Sequence, residues 1–113
     1  TLIRTGVHNA DVDNTTFDRA VKAFIHKHKP LDFIVLDGDH TYKATLHYLN
    51  TLTHLLHENS VVVVHDIHWS RQMEKAWKEI CAWPRVKVSI DMLGLGLLLF
   101  HSQLPNRQLR IRI

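Results

Sequence analysis

The chain has 113 residues, 45% of them hydrophobic and 22% charged, a globular balance that excludes a disordered or fibrous protein. Fourteen Lys and Arg against eleven Asp and Glu leave a net charge of +3, spread thinly except for Arg107, Arg110 and Arg112. No basic face with interleaved aromatics marks a nucleic-acid binder, no apolar run reaches membrane-spanning length, and the one cysteine, Cys81, has no internal disulfide partner.

These features predict a cytoplasmic protein with neither membrane nor nucleic acid as partner. The sequence starts at Thr1, inside a strand-like run and without a charged-then-apolar leader. Residues 1–113 are therefore expected to be a single partial domain, a piece of something longer.

The elements follow in chain order. Residues 1–6 (TLIRTG) predict a short strand ended by Gly6. Residues 11–16 are polar, and Asn14, Thr15 or Thr16 can cap a helix by accepting a backbone N–H. Phe17, Ala20, Val21, Phe24 and Ile25 recur at helical spacing, and Pro30 ends that helix. Leu31–Leu36 (LDFIVL) predicts a strand buried on both faces. Thr41 can cap a second helix with Tyr42, Leu46, Leu49, Leu52 and Leu56 as its core stripe. His47, Asn50, His54 and His57 fall on the opposite, solvated face. Asn59 and Ser60 break this helix, and the four valines at 61–64 give the strongest strand signal. Ser70 caps a third helix with Met73, Ala76, Trp77, Ile80 and Cys81 on its apolar face, and Pro84 stops it.

After Pro84 the period changes. Val86, Val88 and Ile90 alternate with Lys87, Ser89 and Asp91, and a tight connection at 92–94 leads into an apolar run at 95–100, which predicts a β-hairpin. The tail alternates Leu109, Ile111 and Ile113 with Arg110 and Arg112, the pattern of an edge strand whose arginines discourage further pairing. The order β-α-β-α-β-α-β-β plus a tail implies an α/β fold. Its sheet is mostly parallel with right-handed crossovers, and a C-terminal antiparallel hairpin closes it.

In such sheets, ligands bind beyond the carboxyl ends of the strands. Two strands end there in unusually polar residues: Asp37-Gly38-Asp39-His40 after the first apolar run, and His65-Asp66-Ile67-His68 after the valines. Asp37 and Asp66 align as equivalent strand-end acids facing one crevice. Two such carboxylates need a cation, a shared proton or donors, and a hard divalent ion would suit their oxygens. His40, His65 and His68 can serve as general bases. Asp39 reads as a cap before Thr41, and Gly38 as a turn or a close approach to a ligand. His65 either faces the crevice or packs away from it; Trp69 either walls a substrate pocket or packs. His26 and His28 lie in a Lys-rich helix end, and no CxxC or HExxH spacing signals a zinc site.

DFIVLDGDHTY (residues 32–42), a long helix, SVVVVHDIHW (residues 60–69) and the closing hairpin together resemble the C-terminal half of a bacterial class I S-adenosylmethionine-dependent methyltransferase. The branch is the IDGxH type, akin to small-molecule O-methyltransferases. The resemblance implies a three-layer, Rossmann-like sheet truncated by loss of the family's first and second strands. Residues 1–6 would then be its third strand, Leu31–Leu36 its fourth, residues 61–64 its fifth, and the hairpin its sixth and seventh. It implies S-adenosylmethionine as cofactor, with Gly6 and Val7 near the adenine and Asp37 and Gly38 beside the methionine and sulfonium. His40 and Asp66 would be catalytic, taking the proton of a small-molecule acceptor. The metal-using relatives carry acids at the positions of Asp37 and Asp66, but Ile67 stands where they have Asn.

The glycine-rich loop that follows the family's first strand is not present in these residues, so they are expected not to catalyse methyl transfer by themselves. The fourth strand would lose its family neighbour, which favours either pairing with a second copy as a homodimer or movement of the third strand into the gap. Two competing readings are a non-catalytic half-fold assembly module, and a metal-dependent hydrolase using Asp37, Asp66 and a histidine.

Overall fold

A computed structural model of the chain describes residues 2–5, 31–36 and 40–112. The helix expected over residues 17–25 and the site positions Gly6, Val7, Asp37, Gly38 and Asp39 lie outside the described residues.

The strands are β1 (Leu2–Thr5), β2 (Leu31–Leu36), β3 (Leu56–His65), β4 (Val88–Asp91), β5 (Leu95–Leu99) and β6 (Arg107–Arg110). Two helices intervene, α1 (Tyr42–Leu52) between β2 and β3 and α2 (Arg71–Cys81) between β3 and β4. The six strands form one sheet in the order β1-β2-β3-β5-β4-β6. β1, β2 and β3 pair in parallel, β5 runs antiparallel to both β3 and β4, and β6 pairs in parallel with β4. Only β5 is reversed, so the carboxyl ends of the other five strands share one rim.

β1 occupies the edge of β2, with Leu2 opposite Phe33 and Thr5 opposite Leu36. That is the second of the two arrangements expected for this edge. The hairpin forms as expected; its second strand lies against β3 and its first strand outside that.

One core lies between the sheet and the two helices. Ile34 and Leu36 of β2, Val62 and Val64 of β3 and Leu98 of β5 join Leu49, Leu52, Met73, Trp77 and Ile80 in a single cluster. Trp77 packs directly on the strand: a Cβ on Gly96 would stand 2.2 Å from its ring, which is why β5 carries glycine there.

Three expectations change. β2 is buried on one face, not two, for Ile34 and Leu36 are inside while Phe33 is 41% exposed. α1 ends at Leu52, and Thr53–Leu55 form a 3₁₀ turn into a ten-residue β3 that already starts at Leu56. Asn59 and Ser60 therefore lie inside a strand. β2 and β3 shift register there, and the buried Ser60 hydroxyl accepts from the His57 N–H at 2.9 Å. The buried face of α1 is also rotated from the expected stripe and consists of Ala44, Thr45, Tyr48, Leu49 and Leu52. α2 lies alongside, so α1 must serve two neighbours; Thr45 donates its hydroxyl hydrogen to the Met73 sulfur at 3.3 Å.

The caps form as expected. The Thr41 hydroxyl accepts from the Ala44 N–H at 3.1 Å and that of Ser70 from the Met73 N–H at 3.2 Å. α2 buries Met73, Ala76, Trp77 and Ile80. Among the described residues, no helix is long and apolar enough to cross a membrane.

Candidate functional site

The carboxyl rim carries two His–Asp constellations. The first is built on the turn after β3. Asp66 holds a left-handed backbone, φ 56°, which non-glycine residues seldom adopt and which is common where a site fixes a side chain. Its N–H donates to the Gly94 carbonyl at 2.8 Å, and its carbonyl accepts from the Trp69 N–H at 3.0 Å. The backbone is thus held on both sides, by the hairpin turn and by the entry to α2.

On its carboxylate, Oδ2 lies 2.9 Å from His40 Nε2 and 3.0 Å from His65 Nδ1. The His40 contact is an ion-pair distance lying off the hydrogen-bond axis. His40 also stacks on Trp69, with ring centroids 5.0 Å apart and planes at 26°. Asp66 and His40 remain 28% and 29% exposed, within reach of a ligand. Two residues beyond His40, α1 is locked to α2. The Tyr42 N–H donates to Gln72 Oε1 at 3.1 Å, its hydroxyl donates to Glu79, and Lys75 Nζ sits 4.5 Å from its ring centroid. That clamp fixes the start of α1, just after His40.

The structure brings His40 and Asp66 together, with His65 on the same oxygen. The register adds a detail: Leu36 pairs with Val64, two positions before Asp66, whereas Asp37 follows Leu36 by one. In chain count the two strand-end acids are one position out of step. Among the described residues, no group of three or more His, Cys, Asp or Glu side chains could hold a metal ion. The metal role suggested for Asp37 and Asp66 therefore gains no support from the described part of the site.

Sequence reasoning named His68 as a candidate base but missed the partners that the fold gives it, Glu74 and Asp91. His68 Nδ1 lies 2.8 Å from Glu74 Oε2, and its Nε2 lies 2.7 Å from Asp91 Oδ2. Asp91 ends β4 and is 6% exposed. It accepts from the Leu93 N–H at 2.9 Å and meets Arg112 Nη1 at 3.3 Å. The Glu74 hydrogen bond, with help from Asp91, holds the His68 pKa above its ordinary value despite partial burial. Burial pushes the Asp91 carboxyl up, but the Leu93 N–H, His68 and Arg112 outweigh it and hold the group below the usual range. A cavity of about 700 Å³ opens beside this cluster, lined by His68, Trp77, Lys78, Cys81, Ser89 and Asp91 among others. Burial raises the pKa of the Cys81 thiol, so this is not an activated nucleophile. The available signal was an acid in the first turn of α2, six residues after a histidine.

A mostly parallel sheet with an acid and two histidines at its carboxyl rim defines an α/β protein of the rim-site class. Within that class, the chain belongs to the methyltransferase domain family, whose model matches residues 4–67, more than half of the chain. The match runs from β1 through the Asp66 turn. No curated protein matches the chain.

Proposed function

We propose that this methyltransferase-type domain is of the class I kind, acting with S-adenosylmethionine on the hydroxyl of a small-molecule acceptor. The observation that carries the reading is Asp66: an acid in a left-handed turn at the carboxyl rim, inside the family match, with His40 at 2.9 Å.

A carboxylate flanked by imidazoles suits a positively charged sulfonium nearby and a hydroxyl that must lose a proton. By resemblance, Gly6, Val7, Asp37 and Gly38 would hold the cofactor, and the strands that lead to them end side by side, Thr5 opposite Leu36. When bound, the cofactor supplies an electrophilic methyl group. Asp66 orients the acceptor hydroxyl, and His40 or Asp66 takes its proton. Trp69, stacked on His40, limits the freedom of that imidazole.

The sequence has no GxGxG motif, so on this reading the 113 residues alone bind the cofactor weakly and turn over little. The test measures methyl transfer and cofactor binding for the gene's whole product and for these residues side by side. The whole product transfers methyl groups, and Asp66→Asn slows it by about a hundredfold or more. Absence of transfer, or wild-type turnover by Asp66→Asn, would sink the reading. Micromolar S-adenosylmethionine binding by the 113 residues would overturn the claim that they lack most of the donor site.

A further inference from the structure

α2 covers β5, where Trp77 packs on Gly96, but the sheet continues past β5 through β4 to β6. A groove is left along the outer flank of the helix, and it is the cavity of about 700 Å³ beside His68. One wall is a stripe of α2 at helical spacing: Glu74, Trp77, Lys78 and Cys81. The floor is Ser89 and Asp91 of β4, and the far side includes Gln108 and Arg110 of β6. The volume is in the range that small molecules occupy. The inner end is dry and partly apolar, for Trp77, Ser89 and Asp91 are buried. Lys78, Gln108 and Arg110 are exposed at the mouth.

The charges in the groove do not balance. His68, Glu74, Asp91 and Arg112 form a closed set, two positive groups against two negative ones once His68 is protonated. Lys78 and Arg110 stand outside it. In the β4–β6 register Arg110 lies opposite Asp91, yet the Asp91 carboxylate is met by His68 at 2.7 Å and by Arg112 at 3.3 Å instead. Lys78 follows Glu74 by one helical turn, and Glu74 is taken by His68. Neither the Lys78 nor the Arg110 side chain has a hydrogen-bond or ion-pair partner among the described residues. Each alone is an ordinary surface charge. Together on one part-apolar cavity, one from the helix and one from the edge strand, they favour an anion.

We propose that this groove is a second small-molecule site, separate from the Asp66 turn, and that its ligand is an organic carboxylic acid whose carboxylate meets Lys78 and Arg110 while its apolar body lies against Trp77 and Cys81. A guanidinium can hold a carboxylate through two parallel N–H donors, and the ammonium adds a point charge. The apolar wall rewards a body that a bare anion lacks. The site does not depend on which reaction the Asp66 rim carries out.

The test uses the gene's whole product and three probes: 2-naphthoate, the neutral 2-naphthamide and acetate. Titration calorimetry should show 2-naphthoate binding about tenfold more tightly than either of the others. It should also slow the labelling of Cys81 by N-ethylmaleimide about threefold or more at saturation, read by mass spectrometry of the peptide that carries it, because that part-exposed thiol lines the cavity. Lys78→Gln and Arg110→Gln should each weaken 2-naphthoate about threefold, and the double variant about tenfold, with 2-naphthamide binding unchanged. Both side chains are exposed and make no partnered contact, so the fold tolerates their loss. Equal affinity for 2-naphthoate and 2-naphthamide, acetate binding as tightly as 2-naphthoate, no binding of any probe, or unprotected Cys81 overturns the proposal. So does 2-naphthoate binding that Asp66→Asn weakens and the double variant leaves untouched, which would put the acid at the rim.

Discussion

The carboxyl rim holds two histidine–aspartate pairs of nearly equal length, His40–Asp66 at 2.9 Å and His68–Asp91 at 2.7 Å, and they are built for different purposes. Asp91 is almost fully buried, and its oxygens are taken by a backbone N–H, an imidazole and a guanidinium. Asp66 is more than a quarter exposed, sits on a strained turn, and faces solvent beside an exposed indole. A His–Asp pair is therefore not a site by virtue of its residues. A pair whose acceptor positions are filled holds elements together; one with positions left open can meet a ligand.

The contrast is sharpest in what each acid contributes to stability. Asp91→Ala strands His68, Arg112 and the Leu93 N–H around a near-dry position. A loss of about 2–4 kcal/mol is expected in urea denaturation. A loss below about 0.5 kcal/mol would break the comparison by showing that the buried cluster ties nothing. The floor beneath the cluster should be nearly as intolerant. Gly96→Ala drives a methyl into the Trp77 ring, and overpacking of this kind costs about 1–3 kcal/mol.

Asp66→Gly should behave in the opposite way. Glycine removes the penalty of the left-handed backbone, so stability should hold or rise by up to about 1 kcal/mol while methyl transfer by the whole product falls. A marked loss of stability would move Asp66 into the structural group with Asp91.

The sequence made one of these pairs visible and hid the other. Asp66 follows a run of four valines by one residue, and position alone exposes it as a rim acid. Asp91 was hidden by its own alternation: Val88 and Ile90 against Ser89 and Asp91 reads as an apolar face and a wet face. In the fold, Ser89 is 2% exposed and Asp91 6%, because both lie on the sheet face covered by α2. Alternation reveals that a strand has two sides, not which neighbour will cover each. The boundary between α1 and β3 was obscured for a related reason. Leu49, Leu52, Leu55 and Leu56 satisfy a helical period, yet Leu56 pairs with Leu31, a partner the local sequence cannot show. The caps at Thr41 and Ser70, the face of α2 and the hairpin were legible because each is decided within a few residues.

The smallest effect is the pH dependence of the second pair. His68 has its pKa raised above 6.5 by Glu74 and Asp91, so its proton is bound more tightly in the folded protein than in the unfolded chain. The resulting stabilisation is complete below 6.5 and is lost as pH rises through the folded value. Asp91, held below its ordinary 3.8, adds a contribution present above that value and lost as pH falls through the folded one. The tie is strongest between about pH 4 and 6.5. His68→Asn should therefore be less stable than the wild type at pH 5.5, by under about 1 kcal/mol because Glu74 is solvent-exposed, and the gap should narrow by pH 8.5. A gap that stays constant across that range would mean that His68 acts by shape and neutral hydrogen bonding alone. The second pair would then be a packing feature and not a charge-dependent tie.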